Sequence, residues 1–375
     1  MFHDAFFGKR VLVTGHTGFK GSWLSAWLIS LGAKVFGYAI EPQEHEVLYG
    51  QLQLASKLDH EVHGDIRDGD LLSREVARYE PDFVFHLAAQ PLVRASYQRP
   101  RETIETNVMG TVNVLESLMD YPKPCSVVVV TTDKCYENKE WLHSYREEDP
   151  LGGYDPYSAS KGCAELVAAA YRRSFFSGEN SRVRLSTARA GNVIGGGDWA
   201  IDRIVPDVIR SVFSGKAVIV RNRQSTRPWQ HVLEPLSGYL WLAAHLSEPR
   251  LSEYPGASIC SAFNFGPHLE SNRTVLQLVE RLLEHTSGTW DDAANAGQLH
   301  EASKLNLSID KAFHILRWKP TWGFDTCVEH TASWYTSVRD GLDPNTATVV
   351  CIEQYIRDAI GLGQPWAIAS AKPSR

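Results

Sequence analysis

The sequence predicts an α/β protein: a Rossmann-like doubly wound parallel sheet followed by a smaller, mixed α/β substrate lobe. Three observations carry this. Short β-branched runs alternate with longer helical patterns through roughly the first half of the chain. The run Ser126–Thr131 (SVVVVT) is apolar throughout its middle instead of alternating, and a glycine-rich turn, GHTGFKG from Gly15 to Gly21, joins the first apolar run to the first helical pattern. Strand–helix alternation builds βαβ units and a parallel sheet, and a uniformly apolar strand is one covered by helices on both faces.

In chain order the elements read as a strand at Val11–Thr14, a helix at Trp23–Leu31, a strand at Lys34–Tyr38 and a helix at Leu71–Arg78. A strand at Phe83–His86, a helix at Val108–Leu118 and strands at Val127–Thr131 and Val183–Ala188 follow. Positions 23, 24, 27, 28 and 31 are all apolar, the spacing of one helix face. After Gly191 the character changes, because Gly195-Gly196-Gly197 opens a loop-rich stretch with Trp199, Arg203, Arg221, Arg223, Arg227, Trp229 and His231. Helical patterns at Val205–Phe213 and Leu236–Leu246 and strand patterns at Ala217–Val220 and Ala262–Phe265 follow it. We therefore divide the chain into a cofactor-binding domain, 1–190, and a substrate lobe, 191–375, with some interlocking between them. Residues 364–375 carry little pattern and read as a loose or partner-docked tail.

A chain of 375 residues with 38 Lys and Arg against 44 Asp and Glu is mildly acidic and has no block of one sign. That gives no electrostatic case for nucleic acid or for a membrane surface. The six cysteines are scattered, without CxxC spacing, so neither a disulfide framework nor a metal site is expected. No apolar run approaches the length of about 18 residues that a membrane span needs, and residues 1–9 are too polar for a signal peptide. The expectation is a cytoplasmic protein with reduced thiols.

The chemistry begins at the glycine turn. Gly15 permits the tight turn, Gly18 lets a pyrophosphate approach the backbone, and Gly21 lets the helix pack close to the sheet, while the helix N-terminus offers unpaired N–H groups to the anion. From Ala39 to Val47 the chain carries Glu41, Glu44 and Glu46 and no Lys or Arg, which favours NAD over NADP. Glu41 reads equally as a ribose ligand or as a solvated loop acid. Asp65-Ile66, after another strand pattern, suits the adenine edge: a carboxylate to accept from the exocyclic amine and an isoleucine to cover the ring.

Tyr157 and Lys161 are four apart behind Pro156, a good first-turn residue, so both project from one face of a helix. The ammonium, together with a nicotinamide cation, is expected to lower the phenol from its usual pKa of about 10 and make it a base for a hydroxyl proton while hydride leaves the same carbon. Thr132, at the end of the apolar strand, lies where open α/β sheets bind ligands, and its hydroxyl can bond the reacting alcohol. Asp133 and Lys134 then place an acid and a candidate base side by side. A simple alcohol dehydrogenase does not need such a pair, which points to a second chemical step.

GHTGFKG, LAAQ at Leu87–Gln90, TTDK at Thr131–Lys134, YSASK at Tyr157–Lys161 and ARAGNVIGGGDW at Ala188–Trp199 together resemble the extended short-chain dehydrogenase/reductase family, which acts mainly on nucleotide-sugars. RPWQHV at Arg227–Val232 and SIDKAFHILRWKP at Ser308–Pro320 agree with the family's later patterns, so the resemblance covers nearly the whole chain. The longer segments GHTGFKGSW, AAQPLVRASY, TTDKCYENKEW and GGGDWAIDRIVPD resemble the 4,6-dehydratase branch acting on CDP-glucose, in which Lys134 stands where most sugar-nucleotide dehydratases carry glutamate.

The resemblance implies bound NAD, CDP-glucose as substrate, a homo-oligomer (dimer or tetramer) and a place in deoxysugar and lipopolysaccharide O-antigen biosynthesis. It places cofactor contacts on Gly15, Thr17, Gly18, Phe19, Lys20, Gly21, Asp65, Ile66, Leu87, Ala88, Tyr157 and Lys161. The implied reaction is C4 oxidation with Tyr157 as base, loss of water across C5 and C6 with Asp133 as acid, and hydride return to C6. Lys134 either takes the C5 proton or stabilises the enolate as a cation. Asn192, Arg203 and Arg227, with Arg94 and Ser96 behind them, are the implied substrate contacts. The alternatives are another enzyme of the same family, such as a 4-epimerase, which needs no elimination pair, and a non-catalytic NAD-sensing protein on the same fold.

Overall fold

The computed structural model describes residues 1–42, 48–177, 181–201, 203–220, 222–248, 259–292 and 304–368. Glu44, Glu46 and Arg221 lie outside them. Seven parallel strands form the central sheet: β1 (Arg10–Thr14), β2 (Lys34–Ala39), β3 (His60–His63), β4 (Phe83–His86), β5 (Cys125–Val130), β6 (Val183–Ala190) and β7 (Ala262–Phe265). Their spatial order, β3-β2-β1-β4-β5-β6-β7, reverses direction between β1 and β4. This is the doubly wound order, and its crevice opens where the loops after β1 and β4 diverge.

The sheet is buried on both faces because its strands send alternate residues into two separate cores. Val11 and Val13 of β1 and Val128 and Val130 of β5 belong to one cluster; Leu12, Val127 and Val129 belong to the other. The first cluster is covered by α1 (Phe19–Ser30) and by α4 (Leu233–Ser247). The second is covered by α2 (Gly69–Tyr79) and α3 (Pro156–Ser174). The chain beyond residue 190 returns to the sheet: β7 extends its edge and α4 lies over β5 and β6.

The helices start where the sequence supplies caps. Asp155 accepts from the backbone N–H of Ser158 at 2.9 Å ahead of Pro156 in α3, and Asp68 accepts from Leu71 N–H at 3.0 Å ahead of α2. The helical pattern at 108–118 is entered through a π-turn at Glu105–Met109 before the α-helix from Gly110 to Glu116.

The expectation of a loose tail is corrected for residues 364–368. Two C-terminal helices, α5 (Phe324–Arg339) and α6 (Pro344–Gly361), lead into Trp366, which is fully buried. Its ring stacks between Phe2 at 5.1 Å and Tyr355 at 5.6 Å, and its carbonyl accepts from Phe2 N–H. An isolated aromatic gives no periodic signal, so the sequence pattern missed it. Trp366→Ala is expected to cost about 3–5 kcal/mol, the range for deleting a buried aromatic, read as a lower urea midpoint at unchanged slope.

Candidate functional site

The glycine turn sits at the mouth of the crevice. Gly15 has a positive φ of 74°, and a Cβ on it would lie 2.8 Å from the Ala88 nitrogen, so the loops after β1 and β4 abut there. Thr14 Oγ1 accepts from the N–H groups of Leu87 and Ala88, both at 3.2 Å, which fixes this junction. A Cβ on Gly21 would lie 2.1 Å from the Gly15 carbonyl oxygen; Gly21 therefore packs α1 against the turn itself and not against the sheet. A Cβ on Gly18 would meet only the Gly15 oxygen, at 3.4 Å. The space over Gly18 is open beside the first N–H groups of α1, and the donors there suit a pyrophosphate.

Around this cradle, Thr17 is buried and donates to the Ile40 carbonyl at 3.4 Å, and Phe19 lies beside Gly195. Glu41 is exposed, 3.8 Å from His63 Nδ1. Asp65 already accepts from Arg67, at its backbone N–H and its guanidinium, which hold its carboxyl below the usual range. Ile66 is buried against Gly110. Lys20 points away from the solvent into the crevice. Its ammonium lies 6.0 Å from the centre of the Tyr239 ring, and burial, followed by the repulsion of Arg203, lowers its pKa to about 8.

The structure brings Thr132, Asp133, Tyr157 and Lys161 together. Thr132 caps the short 3₁₀ turn Asp133–Cys135: its hydroxyl accepts from Lys134 N–H at 3.3 Å and donates to Asp133 Oδ1 at 2.9 Å. Tyr157 lies near enough to Thr132, Asp133 and Arg203 for all three to act on its phenol. Burial raises the Asp133 carboxyl, against the pull of Lys134, Thr132, Arg227 and Lys20. Lys161 reaches the Val130 carbonyl at 3.5 Å, and burial lowers it to about 8, opposed by Glu165 and Cys135.

Burial pushes the Tyr157 phenol up to about 12; Thr132 and Arg203 pull it down, and Asp133 and Asp155 push it up.

The implied substrate contacts are more dispersed. Arg203 stands at the start of the helix Ile204–Phe213, held by Asp198 at 2.9 Å, and acts electrostatically on Tyr157. Arg227 lies on the strand Thr226–Pro228 and acts on Asp133. Asn192 is exposed just past β6, and Arg94 is exposed on the short helix Val93–Gln98. Ser96 is fully buried and spends its hydroxyl on the Val93 carbonyl at 2.7 Å, so it serves its own helix.

Sequence reasoning missed the groups behind the site. Glu165, one turn past Lys161, accepts from Thr131 at 2.5 Å, Thr187 at 2.7 Å and Arg189 at 2.8 Å. The i, i+4 spacing from Lys161 is the signal that points to Glu165. Tyr239 on α4 is fully buried, its hydroxyl has no hydrogen-bond partner among the described residues, and it lies near enough to Tyr157 and Asp133 for both to raise its pKa. Asn107, inside the π-turn, bonds Gln90 and Ser160 and so ties the LAAQ loop to α3. His231 is buried and neutral, its pKa driven down to about 3, and it accepts from Leu233 N–H at the start of α4.

A fold with its crevice at the β1/β4 switch point, a glycine cradle and a Tyr-x-x-x-Lys helix defines a dinucleotide-dependent enzyme of the extended short-chain dehydrogenase/reductase class. The family model described as GDP-mannose 4,6 dehydratase matches residues 12–331, and the chain belongs to that family. It is 46% identical over 359 residues to CDP-glucose 4,6-dehydratase of Salmonella typhimurium, covering 94% of this chain and 96% of that protein. It is 26% identical to CDP-paratose 2-epimerase of Salmonella typhi, over 88% of this chain and all of that protein. Among solved structures it resembles DesIV, a dTDP-glucose 4,6-dehydratase from Streptomyces venezuelae with NAD and TYD bound. The TM-score is 0.73 at 26% identity, over 90% of this chain and 99% of that one.

Gly191 controls the position of Asp133. A Cβ there would lie 2.8 Å from Asp133 Oδ2, the movable end of a side chain, and 3.7 Å from Pro228. Gly191→Ala is therefore expected to fold normally and keep dinucleotide affinity, while turnover falls on the order of tenfold to a hundredfold, within the range of a displaced acid. Titration of cofactor binding alongside steady-state rates checks this.

Proposed function

We propose that the protein is an NAD-dependent CDP-glucose 4,6-dehydratase, converting CDP-glucose to CDP-4-keto-6-deoxyglucose and water. The observation that carries this reading is the grouping of Tyr157 with the hydrogen-bonded pair Thr132–Asp133, which sets a base for an alcohol beside an acid for a departing hydroxyl, with Lys134 next in the chain. An epimerase has no use for the acid of that grouping. The 46% identity to a CDP-glucose 4,6-dehydratase over nearly the full length of both chains supports the same conclusion.

Gly15, Gly18 and the first N–H groups of α1 would hold NAD, which would supply the hydride acceptor for C4 and the donor for C6. The chain's residues handle the protons. Tyr157 takes the proton of the C4 hydroxyl, Thr132 orients that hydroxyl, and the 4-ketone so formed acidifies C5. Lys134, whose ammonium makes no hydrogen bond among the described residues, handles the C5 proton. Asp133, kept toward its protonated form by burial, protonates the leaving C6 hydroxyl. Arg203 and Arg227 flank Tyr157 and Asp133 and offer forked donors to the diphosphate, with Asn192 at the exposed rim.

Two coarser features belong to the same proposal. Ile104 and Met109, with Leu166 on α3, are exposed apolar residues on helices that pack together, and this favours a homo-oligomer, dimer or tetramer. All six cysteines are free, which suits a reducing cytoplasm, and among the described residues no helix is long and apolar enough to cross a membrane.

Purified protein with NAD is expected to form the alkali-absorbing 4-keto-6-deoxy sugar from CDP-glucose, and not from dTDP-glucose or GDP-mannose. No product from any of the three would overturn the dehydratase reading, and equal turnover of all three would overturn the nucleotide assignment. Lys134→Met is expected to form the 4-ketone and NADH in a single turnover but no deoxy product. Dehydration at the normal rate would remove Lys134 from the mechanism.

A further inference from the structure

We propose that His86 is a positioning residue that joins the cofactor cradle to the helix carrying Tyr157 and Lys161, with a separate task for each nitrogen of its ring. This rests on the dehydratase reading and adds a residue that lies behind the crevice. His86 ends β4, and only 2% of it is exposed.

The direction of each hydrogen bond around the ring is fixed by its neighbours. Thr111 Oγ1 donates to the Asn107 carbonyl at 2.8 Å, so its one proton is spent and it can only accept from His86 Nε2 at 3.1 Å. Nε2 therefore carries the ring proton. Burial, followed by the repulsion of Lys161, lowers the imidazole to about 3, so the ring is neutral and Nδ1 is bare. Thr14 Oγ1 then donates to Nδ1 at 2.8 Å, which leaves its lone pairs for the N–H groups of Leu87 and Ala88. The opposite tautomer would aim three N–H donors at Thr14 and set two lone pairs against each other at Thr111.

The two sides of the ring serve different parts of the site. On the Nδ1 side, Thr14 precedes Gly15, and the loop it holds lies so close that a Cβ on Gly15 would be 2.8 Å from the Ala88 nitrogen. That junction borders the glycine cradle. On the Nε2 side, Thr111 bonds the π-turn Glu105–Met109 at Asn107, whose side-chain amide donates to Ser160 Oγ at 2.8 Å. Ser160 donates in turn to the Tyr157 carbonyl at 2.6 Å, so the path from the ring ends on the backbone of the tyrosine itself. Thr14, His86, Asn107, Thr111 and Ser160 are each no more than 2% exposed, so bulk water does not make good a lost link.

The test separates the two nitrogens. His86→Asn places an amide oxygen near the Nδ1 position and still accepts from Thr14, but it does not reach Thr111. His86→Gln extends an amide N–H to the Nε2 position and donates to Thr111, but it leaves Thr14 without its acceptor. NAD affinity, by fluorescence titration, and turnover of CDP-glucose at saturating NAD are measured on both. His86→Asn is expected to lose about tenfold to a hundredfold in turnover, through misplacement of Tyr157, with the smaller change in NAD affinity. His86→Gln is expected to show the reverse, binding NAD on the order of tenfold more weakly, about the worth of one hydrogen bond, with the smaller change in turnover. Thr111→Val and Thr14→Val cut the same two links without altering the ring. They are expected to follow the asparagine and glutamine variants respectively, and they decide the question if the histidine variants do not fold. Affinity and turnover falling in parallel in every variant, or staying at wild-type values, would make His86 a packing residue and overturn the proposal. The wild-type control separates the two readings: no product from it refutes the dehydratase, whereas normal product with parallel losses in the variants refutes only the role of His86.

Discussion

The Glu165–Arg189 ion pair holds the site together without touching any reacting atom. Both side chains are almost completely buried, and the carboxylate is saturated by Arg189, Thr131 and Thr187. Those partners belong to the C-terminal ends of β5 and β6, while Glu165 belongs to α3, so one carboxylate locks the helix carrying Tyr157 and Lys161 to the strand end carrying Thr132. The other arm of Arg189 reaches the Tyr136 hydroxyl at 2.7 Å and the Glu147 carbonyl at 3.0 Å, and Tyr136 donates to Asn264 of β7. The segment from 132 to 135 is thus pinned at Thr131 on one side and at Tyr136 on the other. Removing one member of such a pair leaves a buried charge uncompensated, at about 3–5 kcal/mol. Loss of register at the site would follow even if the sheet survived.

Given that frame, burial sets the chemistry. It pushes the acids Tyr157 and Asp133 up and the cations Lys20 and Lys161 down, so these four groups move toward their neutral forms, while Asp198 holds Arg203 in its charged form. Such a site handles protons more readily than it stores charge. The two lysines approach from opposite sides: Lys161 on α3, which covers one face of the sheet, and Lys20 at the start of α1, which covers the other.

Much of this was legible in the sequence, and what was missed has physical reasons. The strand and helix patterns at 11–14, 23–31, 34–38, 71–78 and 83–86 and the uniformly apolar β5 were readable because local periodicity reports the burial of a whole element. The pairing of Tyr157 with Lys161 and the adjacency of Thr132 and Asp133 were readable because sequence spacing alone fixes them. Strand β3, read only loosely before Asp65, has the polar sequence HEVH and half-buried side chains at an edge, so no apolar run marks it. The Glu165 network and the packing of Trp366 on Phe2 join residues far apart in the chain, and periodicity carries no information about them.

Burial also explains why the polar groups are strung together and not scattered. Here Asp133 is nearly sealed, with Gly191 packed so tightly against its free oxygen that even a methyl group would collide. Among the described residues, the side chain hydrogen-bonded to it is Thr132, whose hydroxyl also accepts from the Lys134 N–H and so fixes the acid on its turn.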